Sequence, residues 1–587
     1  MAKWFVSAKR ADFEEIGKTF GISPVLARII RNRDIIGNSS IDKYLHGSQK
    51  DYYEAGLMKD MDKAAGLLWE KIREGKSIRI IGDYDVDGIC ASCILKKGLT
   101  LCGATVDTVI PHRIKDGYGI NEQLIRDASE EGIDTLITCD NGIAAASQFA
   151  YAASLGLTCV ITDHHEVPYE WEGEEKRYIL PQAAAVVDPK QEDCTYPNKN
   201  ICGAGIAWKL VEKLWEQINA PTEAHQEILE LAAVATVCDV MVLLDENRIL
   251  VKEGLASMAK AANPGLAALF KVHDIDPTQV SAYHLGFVIG PCLNATGRLD
   301  TAKRALELLE ASDPREVVWK ASELKKLNES RKELTGQQLE AAIAIVEKEG
   351  WQHQPVILVY LPDCHESLAG IIAGRLKERY YRPVFVLTPS EEGVKGSGRS
   401  IEGYHMYEEM TRCKELFLRY GGHRLAAGLS IEADKIELLR QTLNQNCPLA
   451  IEDMEEKILI DVPMPLSRVT KDFLEELKLL EPFGMGNPKP LFGQKNLHFL
   501  SVKLMGKNRN MARFVAEDEE KNRFMLVLFS NWEGFKEDVE KKYGAKRAAA
   551  WIEGGQDEAI EMSITYYPSL NTFRGRQELQ FIIQNWC

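Results

Sequence analysis

Three short apolar runs each end abruptly in acids, and this feature constrains the fold more than any other in the chain. SIRII runs into Gly82-Asp83-Tyr84-Asp85-Val86-Asp87-Gly88, DTLIT into Cys139-Asp140-Asn141-Gly142, and TCVIT into Asp163-His164-His165. Helical patterns at Asn121–Glu131 and Ala144–Leu155 separate them, and apolar runs at Thr105–Ile110 and Ala185–Val187 keep the same rhythm. Short strands alternating with helices predict an α/β domain, a mostly parallel sheet with helices on both faces. Ligands of such sheets bind beyond the carboxyl ends of the strands. Five carboxylates and two imidazoles therefore converge on one crevice.

An Asp after a strand is by itself a turn former or helix cap; its repetition at three strand ends points to a site. Charges so close repel unless something compensates them, and a divalent metal is the natural occupant. Asp239, in Ala235-Thr-Val-Cys-Asp-Val-Met, is a fourth candidate, because an acid at the end of an apolar helix is costly to bury alone. A plain helix-terminus role stays open for it. Mixed carboxylate and imidazole donors suit Mn²⁺, with Mg²⁺ the harder alternative. The donors exceed the needs of one ion, and two metals about 3.5–4 Å apart are the arrangement used to hydrolyse phosphoesters. A histidine outside the ligand set can orient phosphate or protonate the leaving oxygen.

Residues 1–55 are polar and helical, a cap or docking segment, and residues 56–245 hold the alternating pattern. Residues 246–349 read as a helical connector, almost all strong helix formers from 301 onward and broken only near Asp313-Pro314. A smaller α/β domain follows at 350–452, with strands at Val356–Tyr360 and Val384–Thr388 and a helix at Ala369–Arg379. From 453 to 587 short β runs separated by turns predict a small barrel of the oligonucleotide-binding kind. Its candidate strand contacts are Lys503, Lys507, Arg509, Arg513, Arg523 and Arg574, interleaved with Phe514, Phe524 and Phe573, much of whose aromatic surface is expected in the barrel core.

The 587 residues carry a formal charge of −16, which would ordinarily point away from nucleic acid. Local acids at a metal site invert that inference, since bound cations reverse the charge there. No stretch reaches the ~18 apolar residues of a membrane span, and the N-terminus has no apolar signal region. Thirteen cysteines without an export signal fit reduced thiols and a cytoplasmic location. Cys90 and Cys93, a lone CxxC, are expected in a helix core.

DYDVDG, CDNG and DHH in this order resemble the DHH phosphoesterase superfamily. The segments Gly290-Pro-Cys-Leu-Asn-Ala-Thr-Gly-Arg298-Leu, Gly396-Ser-Gly-Arg399-Ser and Gly421-Gly-His423-Arg-Leu-Ala-Ala-Gly428 narrow the likeness to its RecJ family, bacterial 5′→3′ exonucleases specific for single-stranded DNA. The likeness runs from about residue 20 to the C-terminus. It implies a DHH domain, a DHHA1 domain and an OB fold. It also implies Asp85, Asp87, Asp140, His164 and Asp239 as metal ligands, with Asp83 and His165 beside the metals. Arg113 and Tyr118 match a segment that holds the 5′ end, and Arg298, Ser397, Arg399 and His423 match phosphate-gripping positions. A guanidinium forks onto phosphate oxygens, which is why arginine serves there. Cys292, Thr296, Arg424 and the acidic Cys364–Leu368 segment depart from the family pattern without removing a ligand.

The function implied is release of 5′-mononucleotides from single-stranded DNA, in recombination and repair, with a RecQ-type helicase and a single-strand-binding protein as partners. Two alternatives stay open: a DHH hydrolase of short oligoribonucleotides or cyclic dinucleotides, and a degenerate DHH scaffold for replication. The extra cap and barrel argue against the first, and the complete set of motif acids against the second.

Overall fold

The computed structural model describes residues 3–587 apart from Ile114, Tyr118, Glu174, Ala261, Glu391, Glu392, Lys507, Asn508, 555–558, Arg574 and Gly575. It divides into two compact units, Gln49–Glu455 and a second made of Met1–Ser48 with Glu456–Cys587.

The larger unit begins with a five-stranded parallel sheet: β1 (Ser77–Gly82), β2 (Thr105–Val109), β3 (Thr135–Cys139), β4 (Thr158–Thr162) and β5 (Ala185–Val187), in the order β2-β1-β3-β4-β5. Strands buried on both faces read as continuous apolar runs, and Ile78, Ile80 and Ile81 are fully buried. The order reverses between β1 and β3, a switch point that opens a crevice at their carboxyl ends. Helices α1 (Val86–Leu101) and α2 (Gly203–Trp215) pack on the sheet, and α3 (Thr222–Cys238) packs on both of them. Cys90 and Cys93 lie in the α1 core, where burial pushes both thiols up. A hairpin at Tyr169–Glu172 and Glu175–Tyr178, too polar to read as strands, was not expected.

The region 246–349 is helical but does not stand apart as one connector. Helix α4 (Gly290–Leu299) packs into the core of the parallel-sheet region, and α5 (Pro314–Lys348) is shared between two cores. Val317, Ala321 and Leu324 of α5 join the first core, whereas Ala342 and Val346 pack with Ile357, Val359 and Ile372 of the next. Asp313 caps α5, accepting from the N–H groups of Arg315 and Glu316 at 2.9 and 3.0 Å.

The second α/β region holds a five-stranded sheet in the order β9-β10-β8-β7-β6: β6 (Ile357–Tyr360), β7 (Val384–Ser390), β8 (Gly393–Arg399), β9 (Phe417–Gly422) and β10 (Ala426–Ile431). Helix α6 (Ala369–Tyr380) connects β6 to β7, the one parallel pair. Strands β8 and β9 are rich in glycine, which weakens strands, so their sequences resemble loops.

In the smaller unit β11 (Phe492–Met505), β12 (Met511–Glu517), β13 (Arg523–Leu528), β14 (Ile560–Phe573) and β15 (Arg576–Trp586) close into a barrel through the β11–β14 pairing. This is the expected OB-type architecture. Phe514 belongs to its core, 5.1 Å from Phe499 and 5.0 Å from Phe535 between ring centroids. Lys503, Arg509, Arg513 and Arg523 are exposed and Phe524 is half-buried. Lys507, Arg574 and the Phe573 side chain lie outside the described residues.

The N-terminal helices belong to this unit, not to a separate cap over 1–55. Lys3–Val6 is a strand pairing in parallel with Lys457–Ile460. Arg33 is buried, donating from Nε to Asn487 Oδ1 at 2.7 Å and lying 3.6 Å from Asp461. Arg33→Ala is expected to lower stability by about 3 kcal/mol, because it strips a buried carboxylate of its countercharge. Denaturant unfolding followed by tryptophan fluorescence measures this, and a midpoint unchanged from wild type would show the pair to be dispensable.

Candidate metal centre and arginine cluster

The carboxyl ends of β1, β3 and β4 and the end of α3 bring the acids together. Asp85 caps α1, accepting from the N–H groups of Asp87 and Gly88 at 2.9 and 3.2 Å. Asp87, in the first turn, accepts from Gly203 N and Ala204 N, both at 2.7 Å, at the N-terminus of α2. That helix end favours a negative charge. Gly203 is required there: a Cβ would lie 2.7 Å from Asp140 Cβ. Asp140 follows β3 in the left-handed region, φ 60°, which Asp tolerates better than most side chains.

His164 Nε2 lies 3.0 Å from Asp140 Oδ1 and 3.6 Å from both Asp87 Oδ2 and Asp239 Oδ2. His165 Nδ1 lies 2.7 Å from Asp163 Oδ1 and 4.0 Å from Asp140 Oδ1. Asp163 also accepts from Ile143 N at 2.8 Å and His164 N at 2.7 Å. It therefore orients the two histidines rather than facing the acids.

Three overlapping donor sets have the spacing to hold a cation: Asp83, Asp85 and Asp140; Asp87, His164 and Asp239; and Asp140, His164 and His165. Asp140 and His164 each belong to two sets. Asp83 Oδ1 and Asp239 Oδ2 are buried without a hydrogen-bond partner, the condition a cation would relieve. Burial, then the neighbouring carboxylates, push Asp83 and Asp140 well above the usual range, Asp87 to about 6 and Asp239 to about 8. Burial and His165 push His164 down to about 3, so its imidazole is neutral, as a ligand must be. For His165 burial acts downward, but Asp163 outweighs it and raises the ring to about 9.

Beside the acids lies a cavity of about 370 Å³ lined by Tyr84, Arg113, Lys395, Ser397, Arg419 and Tyr420, among others. The Arg113 guanidinium lies 4.8 Å from the centre of the Tyr84 ring. Arg298, on α4, donates to Ser367 O at 2.8 Å, and Arg399, on β8, to Gly398 O at 2.7 Å. Burial and then Arg113, Arg331 and Arg399 lower Arg298 to about 10. Four guanidiniums crowded so closely favour an anion among them.

Arg331, from α5, and Lys395 and Arg419 were missed by the sequence reading. No local motif marks Arg331, which enters only because α5 brings its charge near Arg298. His423 stands exposed in the turn after β9, its N–H on Ala426 O at 2.8 Å, while Gly421 reaches the cavity lining. Tyr118 lies outside the described residues. Cys292 is buried, 3.2 Å from both His273 Nε2 and Asn328 Nδ2, and Arg424 donates to Glu402 O. Neither departure touches the acids.

Comparison with known proteins matches the DHH family N-terminal domain to residues 77–236, the DHHA1 domain to 353–447 and the RecJ OB domain to 460–585. Over 585 residues the chain is 30% identical to the single-stranded-DNA-specific exonuclease RecJ of Salmonella typhimurium, covering 96% of each. It is 35% identical to the Bacillus subtilis protein of that name, over 85% of this chain, and spans 62% of that longer relative. The crystal structure of RecJ with Mn²⁺ from Thermus thermophilus superposes with a TM-score of 0.79 at 26% identity, covering 100% of this chain and 79% of that one. The Mg²⁺ complex gives 0.75 at 25% identity.

Proposed function

We propose, on the premise that this chain belongs to the RecJ family, that it degrades single-stranded DNA from the 5′ end to 5′-mononucleotides. The carrying observation is the overlap of donor sets at Asp140 and His164, beside an arginine-lined cavity. Asp83, Asp85, Asp87, Asp140, His164 and Asp239 would hold two divalent cations, Mn²⁺ or Mg²⁺. Such ions lower the pKa of an attacking water and neutralise charge developing on phosphate.

The protein's own residues do the rest. Arg113, Arg298, Arg399 and Ser397 grip the terminal phosphate, by forked and hydroxyl hydrogen bonds. The hydrogen bond that His165 Nδ1 donates to Asp163 fixes the ring, so that Nε2 is the atom to orient the scissile phosphate or protonate the leaving 3′ oxygen. Exposed Lys503, Arg509, Arg513 and Arg523 on the barrel give the strand a basic path. A RecQ-type helicase and a single-strand-binding protein fit this reading as partners, since they supply and guard single strands. A DNA substrate of this kind would place the chain in the cytoplasm. Among the described residues no helix is long and apolar enough to cross a membrane.

The test is digestion of 5′-labelled and 3′-labelled 30-mers, blunt duplexes and ribodinucleotides with Mn²⁺ or Mg²⁺. Labelled mononucleotide released first from the 5′-labelled strand, with the blunt duplex resistant, is the expected result. Preference for ribodinucleotides would move the chain to the short-substrate hydrolases, and inertness on every substrate to a scaffold. Arg399→Ala is expected to raise KM for a 5′-phosphorylated strand about tenfold, as loss of one charge-assisted contact. An unchanged KM would remove Arg399 from the grip.

A further inference from the structure

Strand β8 turns alternate residues to opposite faces of its sheet. Val394, Gly396 and Gly398 are buried, whereas Lys395, Ser397 and Arg399 are half-buried on the other face. Gly370, in the first turn of α6, lies against the Arg399 end: a Cβ there would be 2.9 Å from the guanidinium and 3.6 Å from Ser397 Oγ. Gly421 and Gly428 pair beside Ser397, so this level offers backbone without side chains. The charge of Arg113 reaches both Arg298 and Arg399, which turns this end of β8 toward the other arginines of the grip.

One step back along β8 the same face changes character. Thr388 on β7, Lys395 on β8, Ser430 on β10 and Arg419 on β9 stand opposite one another in register, a single row across four strands. All four line the cavity that also holds Ser397. Lys395 Nζ lies 3.0 Å from Glu366, and Arg419 has no carboxylate partner among the described residues. Thr388 is fully buried, and its hydroxyl has no hydrogen-bond partner, a deficit that a ligand oxygen in the cavity would relieve. Arg113, Lys395 and Arg419 outnumber Glu366 in the lining, so the cavity is cationic in a chain of charge −16. Its volume of about 370 Å³ is far more than one phosphate group fills, given about 30 Å³ for each water it displaces.

We propose that this row is a second phosphate subsite, which receives the outer phosphates of a strand bearing a 5′-di- or triphosphate while the innermost phosphate stays on Ser397 and Arg399. The subsite rests on the exonuclease reading, in which those two residues hold the 5′ phosphate. Two residues of strand span about 6.8 Å, a step that the phosphate chain and the long Lys395 and Arg419 side chains close together. The Arg419 guanidinium forks onto phosphate oxygens, Lys395 adds a point charge and the Thr388 hydroxyl donates. The bond being cut is the same. A water oxygen bonds to the phosphorus of the first diester, the bond from that phosphorus to the 3′ oxygen breaks, and the 3′ oxygen takes a proton from the water. The first nucleotide therefore leaves as an intact nucleoside 5′-triphosphate, and the shortened strand begins with a 5′-monophosphate.

The test compares deoxy 30-mers that differ only in a 5′-monophosphate or a 5′-triphosphate, the latter labelled on its outermost phosphate, with the full chain and Mn²⁺. The label is expected to leave as nucleoside triphosphate, with wild-type kcat/KM on the two strands within about tenfold. In Lys395→Ala/Arg419→Ala the triphosphate strand is expected to lose about tenfold or more beyond any loss on the monophosphate strand, as two charged contacts disappear. Both strands are read on one preparation, so a partly unfolded variant leaves the ratio unmoved. A wild type that cuts the triphosphate strand more than about tenfold slower than the other overturns the subsite. So does label released as phosphate or pyrophosphate, or a double variant that keeps the wild-type ratio. Wild-type protein digesting the monophosphate strand keeps the exonuclease reading in each of these events; wild-type protein that leaves both strands undigested overturns that reading and the subsite with it.

Discussion

Asp140→Ala is expected to slow hydrolysis of single-stranded DNA by at least about a thousandfold, some 4 kcal/mol of transition-state stabilisation, while the strand still binds. Asp140 shares one donor set with Asp83 and Asp85 and lies 3.0 Å from His164 of the other, so its removal strips one position of a ligand and disturbs its neighbour. Arg298 and Arg399, which would bind the strand, belong to other elements, α4 and β8, and keep their places. Single-turnover rates with Mn²⁺ measure the first claim, and fluorescence anisotropy of a labelled 30-mer the second. Asp140→Asn should lose nearly as much, since the amide keeps the shape and one oxygen but not the charge. Activity within tenfold of wild type in either variant would remove Asp140 from the metal ligands.

The second large effect concerns stability. Asp87 and Asp239 are held above their unfolded values, to about 6 and about 8, so without metal the folded state binds more protons than the unfolded chain. Stability therefore falls as pH rises from about 4 through 8. Divalent cations compete for the same oxygens and bind best when protons have left. Mn²⁺ at a hundred times its pH 8 Kd, kept at that concentration at both pH values, should add about 2.7 kcal/mol at pH 8, or roughly 3 °C in Tm for the unit Gln49–Glu455. The gain should be larger at pH 8 than at pH 6. Calorimetric scans of the metal-stripped chain with and without Mn²⁺ at both pH values decide it; an equal gain at both would show that those carboxylates do not bind the ion.

Much of this centre was legible in the sequence because its residues sit at strand ends. β1, β3 and β4 are apolar runs whose limits are visible, and a parallel sheet sends their carboxyl ends to one side. Asp163 was grouped with the acids by the same logic, yet it turns inward to hold both histidines. Spacing places a residue at a strand end and says nothing of its rotamer. Arg331 was invisible for the opposite reason: it lies mid-helix in a charged stretch like any solvated face. The glycine-rich strands β8 and β9 read as loops. The N-terminal helices pair with sequence more than 400 positions away through Lys3–Val6 and Lys457–Ile460, and no local pattern reports such a partner.

Helix α5 runs unbroken for 35 residues and is rooted in both cores. The span from the cut to the basic pocket on β8 is therefore set by a rod, not by a hinge. Inserting one residue in its middle would advance everything beyond by about 1.5 Å and turn it by about 100°. Helix length works as a ruler: on the exonuclease reading, α5 fixes the cavity wall that carries Lys395 and Ser397 against Tyr84 and the acids beside it, so the bite cannot widen by bending.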